Sequence, residues 1–223
     1  PNPNPNPNPN PNPNPNPNKA CPALPFDIAG EQCVGLCHMT WYASYDRFSG
    51  ALHYTRANTT RVPKGDQMYP DKRAKGDWLW FLHADCGRVK RGHLRALRTL
   101  PEDALWGRFD VRLSGDHRLF PMIGHAMNLR SRWTGIATGD QGIFVRRDLF
   151  LEMGGFPMQP LMEDVALSTR LRGRAKPVCL RPRLEADSRR WEENGVLRTT
   201  LLMWQLRWRY WRGEDPARLH RDY

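Results

Sequence analysis

Gly76-Asp77-Trp78-Leu79-Trp80-Phe81-Leu82-His83-Ala84-Asp85 is the stretch on which the reading of this chain turns. It is an uninterrupted run of large apolar residues that ends abruptly in an acid. Such a run suits a strand buried on both faces, as in a parallel sheet. A buried helix segment is the competing reading, but the short length and the preceding Gly76 favour a strand. A carboxylate at the carboxyl end of such a strand lies where open α/β sheets bind ligands.

Downstream of this strand the periodicity alternates between helix and strand. Gly92–Leu100 reads as a helix with Leu94, Leu97 and Leu100 on one face and Pro101 beyond its end. In Trp106–Leu113, Phe109, Val111 and Leu113 point one way and Arg108, Asp110 and Arg112 the other, which predicts a half-buried strand. Leu119–Arg130 reads as a helix with Pro121 in its first turn. The small-residue turn Thr134–Gln141 then leads into a short strand, Gly142–Val145. Asp148 is placed to start a helix that stops at Gly154-Gly155. Leu161–Asp164 opens another helix running to about Leu171, and Val178–Leu180 reads as a strand.

The last clear element is a helix from Gly195 to Arg212. Leu197, Leu201, Trp204, Trp208 and Trp211 form an apolar stripe along it, and Arg198, Gln205, Arg209 and Arg212 a largely basic one. The simplest expectation is that the apolar stripe docks on the core. Strands alternating with helices indicate an α/β layered fold with a partly parallel sheet.

Upstream, residues 1–18 are nine Pro-Asn repeats. Pro at every second position removes alternate donors and fixes φ, so this segment is expected to be a disordered tail. Residues 19–75 carry weak periodicity. They hold Cys21, Cys33 and Cys37, but Cys33-x-x-x-Cys37-His38 does not supply the four ligands of a structural zinc site, and ordinary thiols are the simpler reading.

The 223 residues carry 34 Lys+Arg against 23 Asp+Glu, a formal charge of +11. That excess suggests an anionic partner without choosing among nucleotide, nucleic acid, phosphorylated substrate and acidic lipid. The five Cys do not form a disulfide framework, so a reducing, cytoplasmic setting is expected. No apolar stretch reaches the ~18 residues of a membrane span. No signal peptide is visible, and the chain opens on Pro1 rather than Met, so its natural amino terminus is expected to be missing or altered.

Four polar sites stand out. Asp85 reads equally as a turn former or as a ligand, with His83 on the same side of the extended chain; together they suit a divalent metal bridging a diphosphate. Glu163-Asp164 is either a pair favoured by a helix dipole or a general base whose two carboxylates support one another. Asp140, in the turn Gly139-Asp140-Gln141, bonds its own backbone or a substrate hydroxyl. Ser188-Arg189-Arg190-Trp191 is a solvated basic turn or a grip on an anionic leaving group.

In this order the motifs resemble the family 2 inverting glycosyltransferases of GT-A fold, and within them the radical-SAM/selenodomain-associated transferases. The resemblance rests on Phe81–Asp85, Trp106–Leu113, Thr138–Val145, Gly154-Gly155-Phe156-Pro157, Pro160–Asp164 and Ser188–Trp191, and runs over residues 76–223. It implies an α/β GT-A-like three-layer fold with a mixed, mainly parallel sheet, incomplete at the amino-terminal half. It implies Asp85 as the last acid of a DxD-type motif holding Mg²⁺ or Mn²⁺, with His83 where many relatives have Asp. It implies Asp164 as the catalytic base, supported by Glu163. Asp140, Gln141, His83, Arg189, Arg190 and Trp191 would bind substrate; Ser188 stands where processive relatives have Gln or Arg.

Residues 19–75 lack the family's I-I-P-x-x-N-E and D-G-x-S-x-D-G-T patterns, and only Lys64–Met68 resembles its R-x-x-Q-M-N-x-G segment. They read as an atypical or degraded nucleotide-binding half. The function expected is metal-assisted transfer of a sugar, with inversion, from a nucleotide-diphosphate sugar to an acceptor hydroxyl, with peripheral contact at the inner membrane face. The alternatives are a non-catalytic basic protein binding nucleic acid or an anionic membrane surface, or an inactive, truncated glycosyltransferase.

Overall fold

The computed structural model describes residues 39–45 and 52–58 at the level of backbone, and residues 76–83, 86–87, 89–157 and 159–223 in full. The Pro-Asn repeat, the Cys33–His38 cluster, Lys64–Met68 and Asp85 lie outside the described residues. The strands are β1 (Met39–Tyr45), β2 (Leu52–Asn58), β3 (Trp78–His83), β4 (Trp106–Leu113), β5 (Phe144–Arg146) and β6 (Val178–Ala186). The helices are α1 (Arg91–Arg98), α2 (Phe120–Thr134), α3 (Arg147–Glu152), α4 (Glu163–Arg172), α5 (Arg189–Asn194), α6 (Val196–Trp211) and α7 (Pro216–Asp222). A turn of 3-10 helix, Gly139–Gln141, precedes β5.

The six strands form one mixed sheet in the order β2-β1-β3-β5-β4-β6. Only β4 and β6 pair in parallel; the pairings β1–β2, β1–β3, β3–β5 and β4–β5 are antiparallel. The expected mainly parallel sheet is thereby corrected. The cause is β5, a three-residue strand that enters between β3 and β4 in the reverse direction. Strands β3, β4 and β6 still point the same way, so their carboxyl ends share one edge of the sheet.

Strand β3 is buried on both faces, and its period of two divides the core. Trp78, Trp80 and Leu82 face one cluster with Leu97 and Leu100 near α1, together with Phe109 and Phe144. Leu79 and Phe81 face the other, with Leu149 and Phe150 of α3 and Leu167 and Leu171 of α4. Helices therefore cover both faces of this part of the sheet, as a buried apolar strand requires.

Strand β4 departs from the expected half-buried pattern, because of its eight residues only Arg112 is exposed. Helix α2 covers the charged side. Arg108, fully buried, pairs with Asp110, which also accepts from Arg132 Nη2 at 2.9 Å. Burial pushes the Asp110 carboxyl up, but hydrogen bonds and charge from Arg132 and Arg108 outweigh it and hold the pKa below its ordinary value. Beyond Gly107, β4 has no strand partner on its β5 side. Asn128 of α2 supplies one in miniature: its Oδ1 accepts from Val111 N at 2.8 Å and its Nδ2 donates to Val111 O at 2.9 Å. A buried strand edge is thus satisfied by one side-chain amide. Helix α2 carries Pro121 in its first turn and closes on Gly135 in the left-handed region, φ 67°.

Helix α6 docks through the face opposite to the expected one. Val196, Thr199 and Leu206 are its buried residues, and Leu202, Met203 and Tyr210 pack with Met162, Leu161, Val165 and Leu219 of α7. The stripe Leu197, Leu201, Trp204, Trp208, Trp211 faces outward. The bulkier apolar residues, three of them Trp, are on the solvent side, which is why periodicity alone points to the wrong face. No helix among the described residues is long and apolar enough to cross a membrane.

Replacing Asn128 by Ala leaves the buried Val111 N–H and C=O unpaired. It is expected to lower the free energy of unfolding by about 2–4 kcal/mol in urea titrations. Arg112→Ala, which removes an exposed pair with Glu185, is expected to cost less than about 1 kcal/mol in the same measurement.

Candidate active site

The shared carboxyl edge of β3, β4 and β6 is where the predicted polar residues gather. His83 ends β3, Gly139 and Asp140 form the turn before β5, and Glu163 and Asp164 open α4. Phe81, His83, Gly139, Ile143, Phe156, Glu163 and Asp164 line one cleft there. Phe81 and Phe156 meet edge to face with ring centroids 4.9 Å apart, giving the cleft an aromatic floor.

Two contacts fix its geometry. Asp164 Oδ2 accepts a hydrogen bond from Gly139 N at 2.7 Å, and Oδ1 accepts from Val165 N at 2.6 Å. The carboxylate is therefore held at both oxygens, once by the turn and once by its own helix. Gly139 also lies directly against His83: a Cβ at position 139 would stand 1.9 Å from His83 Nε2. A side chain at position 139 would therefore require the His83 ring to move.

Met162, which precedes the acidic pair, adopts φ 64° and is the non-glycine residue with positive φ among the described residues. A left-handed conformation at a γ-flexible side chain is uncommon and costs on the order of 1 kcal/mol or more. It turns the chain so that both acids enter the first turn of α4 beside the helix N-terminus.

The electrostatics set the two carboxyls apart. Burial raises the Glu163 pKa above its ordinary value, and the charge of Asp164 raises it further. A bond from its own backbone and the charge of His83 pull weakly the other way. A carboxyl lifted by burial and by a neighbouring anion is a better proton acceptor at neutral pH than an ordinary one.

Cations rim the acids. Burial lowers the Arg130 guanidinium to about 10, and the charge of Arg207 adds to the fall, while Asp164 and Asp140 oppose it. Its Nε and Nη2 are buried and make no hydrogen bond. The phenol of Tyr223 is raised by burial, lowered by Arg190 and raised again by Asp140, Asp164 and Glu163. Arg190 lies over the Tyr223 ring at 3.5 Å and donates to the Tyr223 carbonyl at 2.7 Å.

His83, Glu163 and Asp164 are thus brought together, and Asp140 acts through its charge on Arg130 and Tyr223, the groups on which Asp164 also acts. Gln141 is not in the cleft. It is fully buried, its Nε2 donating to Ser131 Oγ at 3.0 Å and its Oε1 accepting from Thr138 N at 3.3 Å. It anchors the turn to α2 instead of facing a substrate. Of the basic motif, Arg190 reaches the site through Tyr223. Arg189 pairs with Asp187, and Trp191 packs with Val111, Phe120 and Val196.

Arg130, Arg207 and Tyr223 were not singled out from the sequence. Arg130 stands three positions before Trp133 on a helix with no acid, and nothing local marks it; only the fold brings it to Asp164.

The expected metal ligand Asp85 lies outside the described residues. Among the described residues no three His, Cys, Asp or Glu side chains come together as a metal set, and both oxygens of Asp164 are already bonded to backbone. Comparisons with models of protein families, with curated proteins and with solved structures found no match.

The raised Glu163 carboxyl has a thermodynamic signature. As pH rises, the unfolded chain loses this proton first, so the contribution of Glu163 to stability is fully present below its ordinary value of 4.5 and is lost as pH passes the folded-state pKa. Glu163→Gln removes the buried charge. The variant is expected to melt above wild type at pH 7, with the gain shrinking toward zero as pH falls to about 4, measured by calorimetry across that range.

Proposed function

We propose that this chain is an inverting glycosyltransferase that moves a sugar from a nucleotide-diphosphate sugar to an acceptor hydroxyl. The observation that carries the reading is the convergence of His83, Gly139, Glu163 and Asp164 on one cleft at the carboxyl edge of β3, β4 and β6. These are the residues through which the sequence resembles the family 2 enzymes, and adjacent carboxylates beside cationic groups suit this chemistry.

In the proposed step the acceptor hydroxyl gives its proton to the acidic pair as its oxygen attacks the anomeric carbon. The bond from that carbon to the diphosphate breaks on the opposite face, so configuration inverts. Asp164, gripped at both oxygens, holds position and sustains the charge that lifts Glu163; Glu163 is then the readier proton acceptor. The resemblance by itself places that role on Asp164, so the geometry supports a shared base. Negative charge growing on the departing diphosphate would be met by Arg190 and Arg130, an arrangement that favours the transition state over the neutral approach of the acceptor.

The test is a donor panel of UDP- and GDP-sugars, with Mg²⁺ or Mn²⁺ and without, following donor hydrolysis and transfer. Glu163→Gln and Asp164→Asn are each expected to lower kcat by about 10²–10⁴-fold. Gly139→Ala, which displaces His83, is expected to lower kcat/KM while leaving the folded state detectable by circular dichroism. Wild-type rates in both acid variants, or no turnover of any donor, would remove this reading.

A further inference from the structure

The outward faces of α2 and α6 carry apolar side chains that nothing in the described structure covers. On α6, Leu197, Leu201, Trp204, Trp208 and Trp211 are 71%, 68%, 69%, 59% and 78% exposed. On α2, Met122, Leu129 and Trp133 are 61%, 37% and 81% exposed, with exposed Ala126 completing the same helical face. Four of the nine Trp of the chain therefore stand in solvent on these two helices.

The two stripes look out on the same side. Val196 of α6 shares an apolar cluster with Ile123 and Met127 of α2, and Arg207 acts electrostatically on Arg130. At about 100° per residue, Ile123, Met127 and Arg130 sit roughly a quarter turn from the α2 stripe, and Val196 and Arg207 roughly a quarter turn from the α6 stripe. The flanks of the two helices thus share one apolar cluster, and their exposed stripes lie about a quarter turn away from it.

Within the two helices the charge has one sign. Neither helix contains Asp or Glu, while α2 carries Arg130 and Arg132, α6 carries Arg198, Arg207 and Arg209, and Arg212 caps α6. Arg132 and Arg209 are neutralised by Asp110, Glu214 and Asp222. Arg198 and Arg212 flank the α6 stripe, the latter 5.4 Å from the Trp208 ring, and Arg207 and Arg130 lie along the seam.

We propose that this face docks on an anionic lipid bilayer, with Trp133, Trp204, Trp208 and Trp211 at headgroup level and the arginines at the rim. Trp prefers that depth because its ring is apolar and its N–H polar. Leu and Met between the indoles suit acyl chains and offer nucleic-acid bases nothing to stack on. A second copy seated face to face would oppose one arginine rim with another, whereas anionic lipid complements both. The inference stands apart from the catalytic reading, because it concerns a different face and needs no turnover.

The test is flotation of the full chain with vesicles of phosphatidylcholine alone or with about 30 mol% phosphatidylglycerol. Binding to the anionic vesicles is expected to exceed binding to neutral ones by about tenfold or more. Trp204→Ser, Trp208→Ser and Trp211→Ser combined should lower it about tenfold or more, Arg198→Glu with Arg212→Glu likewise, and Leu151→Ser on α3 should not. Brominated lipid should quench wild-type tryptophan fluorescence, which tests the same contact even where a variant does not fold. No vesicle binding, binding unchanged by the Trp substitutions, or absent quenching would overturn the proposal. So would a concentration-dependent dimer or a DNA complex that the same substitutions abolish while vesicles are ignored.

Discussion

The hydrogen bond from the Gly139 backbone to Asp164 joins the two parts of the chain that must meet for a site to exist. One partner is a turn seated on the end of β3, the other the first turn of α4. Gly139 lets the turn lie against the His83 ring, which any side chain there would displace. The bond also needs the left-handed Met162, which aims the acids at the turn. A single short contact therefore depends on a glycine, a strained residue and a buried strand, each from a different segment. A charge-assisted bond of this kind is stronger than a neutral one and fixes direction as well as distance.

Around it the sheet divides two tasks. Strands β3, β4 and β6 share a direction and bring their carboxyl ends to one edge; β5 runs against them and carries the 3-10 turn to that same edge. Because β5 is only three residues long, most of β4 would lose its bonding partner on that side. Asn128 compensates at Val111, and the buried Arg108–Asp110–Arg132 group ties α2 to the same strand. Helix α2 is thus held by polar bonds on one side, which leaves its opposite side without a structural role.

Much of this was legible in the residues. The run Trp78–Leu82 identified a doubly buried strand because a period of two and a period of none look different on paper. Trp106–Leu113 was recognised with its ends intact. What escaped was whatever depends on contacts distant in sequence. The hairpin of β1 and β2 has no clear apolar alternation, so its pairing beside β3 leaves no local trace. The reverse entry of β5 could not be read from Phe144–Arg146, since a short strand carries no direction. The charged side of β4 looked solvated because Arg108 and Asp110 neutralise each other only once α2 is in place. On α6 the larger apolar stripe was assigned to the core, but Leu206, Thr199 and Val196 make the inner contact. In the site, Glu163, Asp164 and His83 were visible as residue types at strand and helix ends. Gln141 reads as a substrate ligand from its place in the turn, whereas its amide turns inward to Ser131 and Thr138. Arg130 was missed because a helical arginine among apolar neighbours has no distinctive pattern.

Met162 shows what this architecture asks of evolution. At φ 64° a glycine would relax the backbone locally, but it would also remove a buried side chain that packs with Leu206 and Leu219. The same relaxation would widen the range of directions open to Glu163 and Asp164. Position 162 thus couples the packing of α6 and α7 to the aim of the two carboxylates.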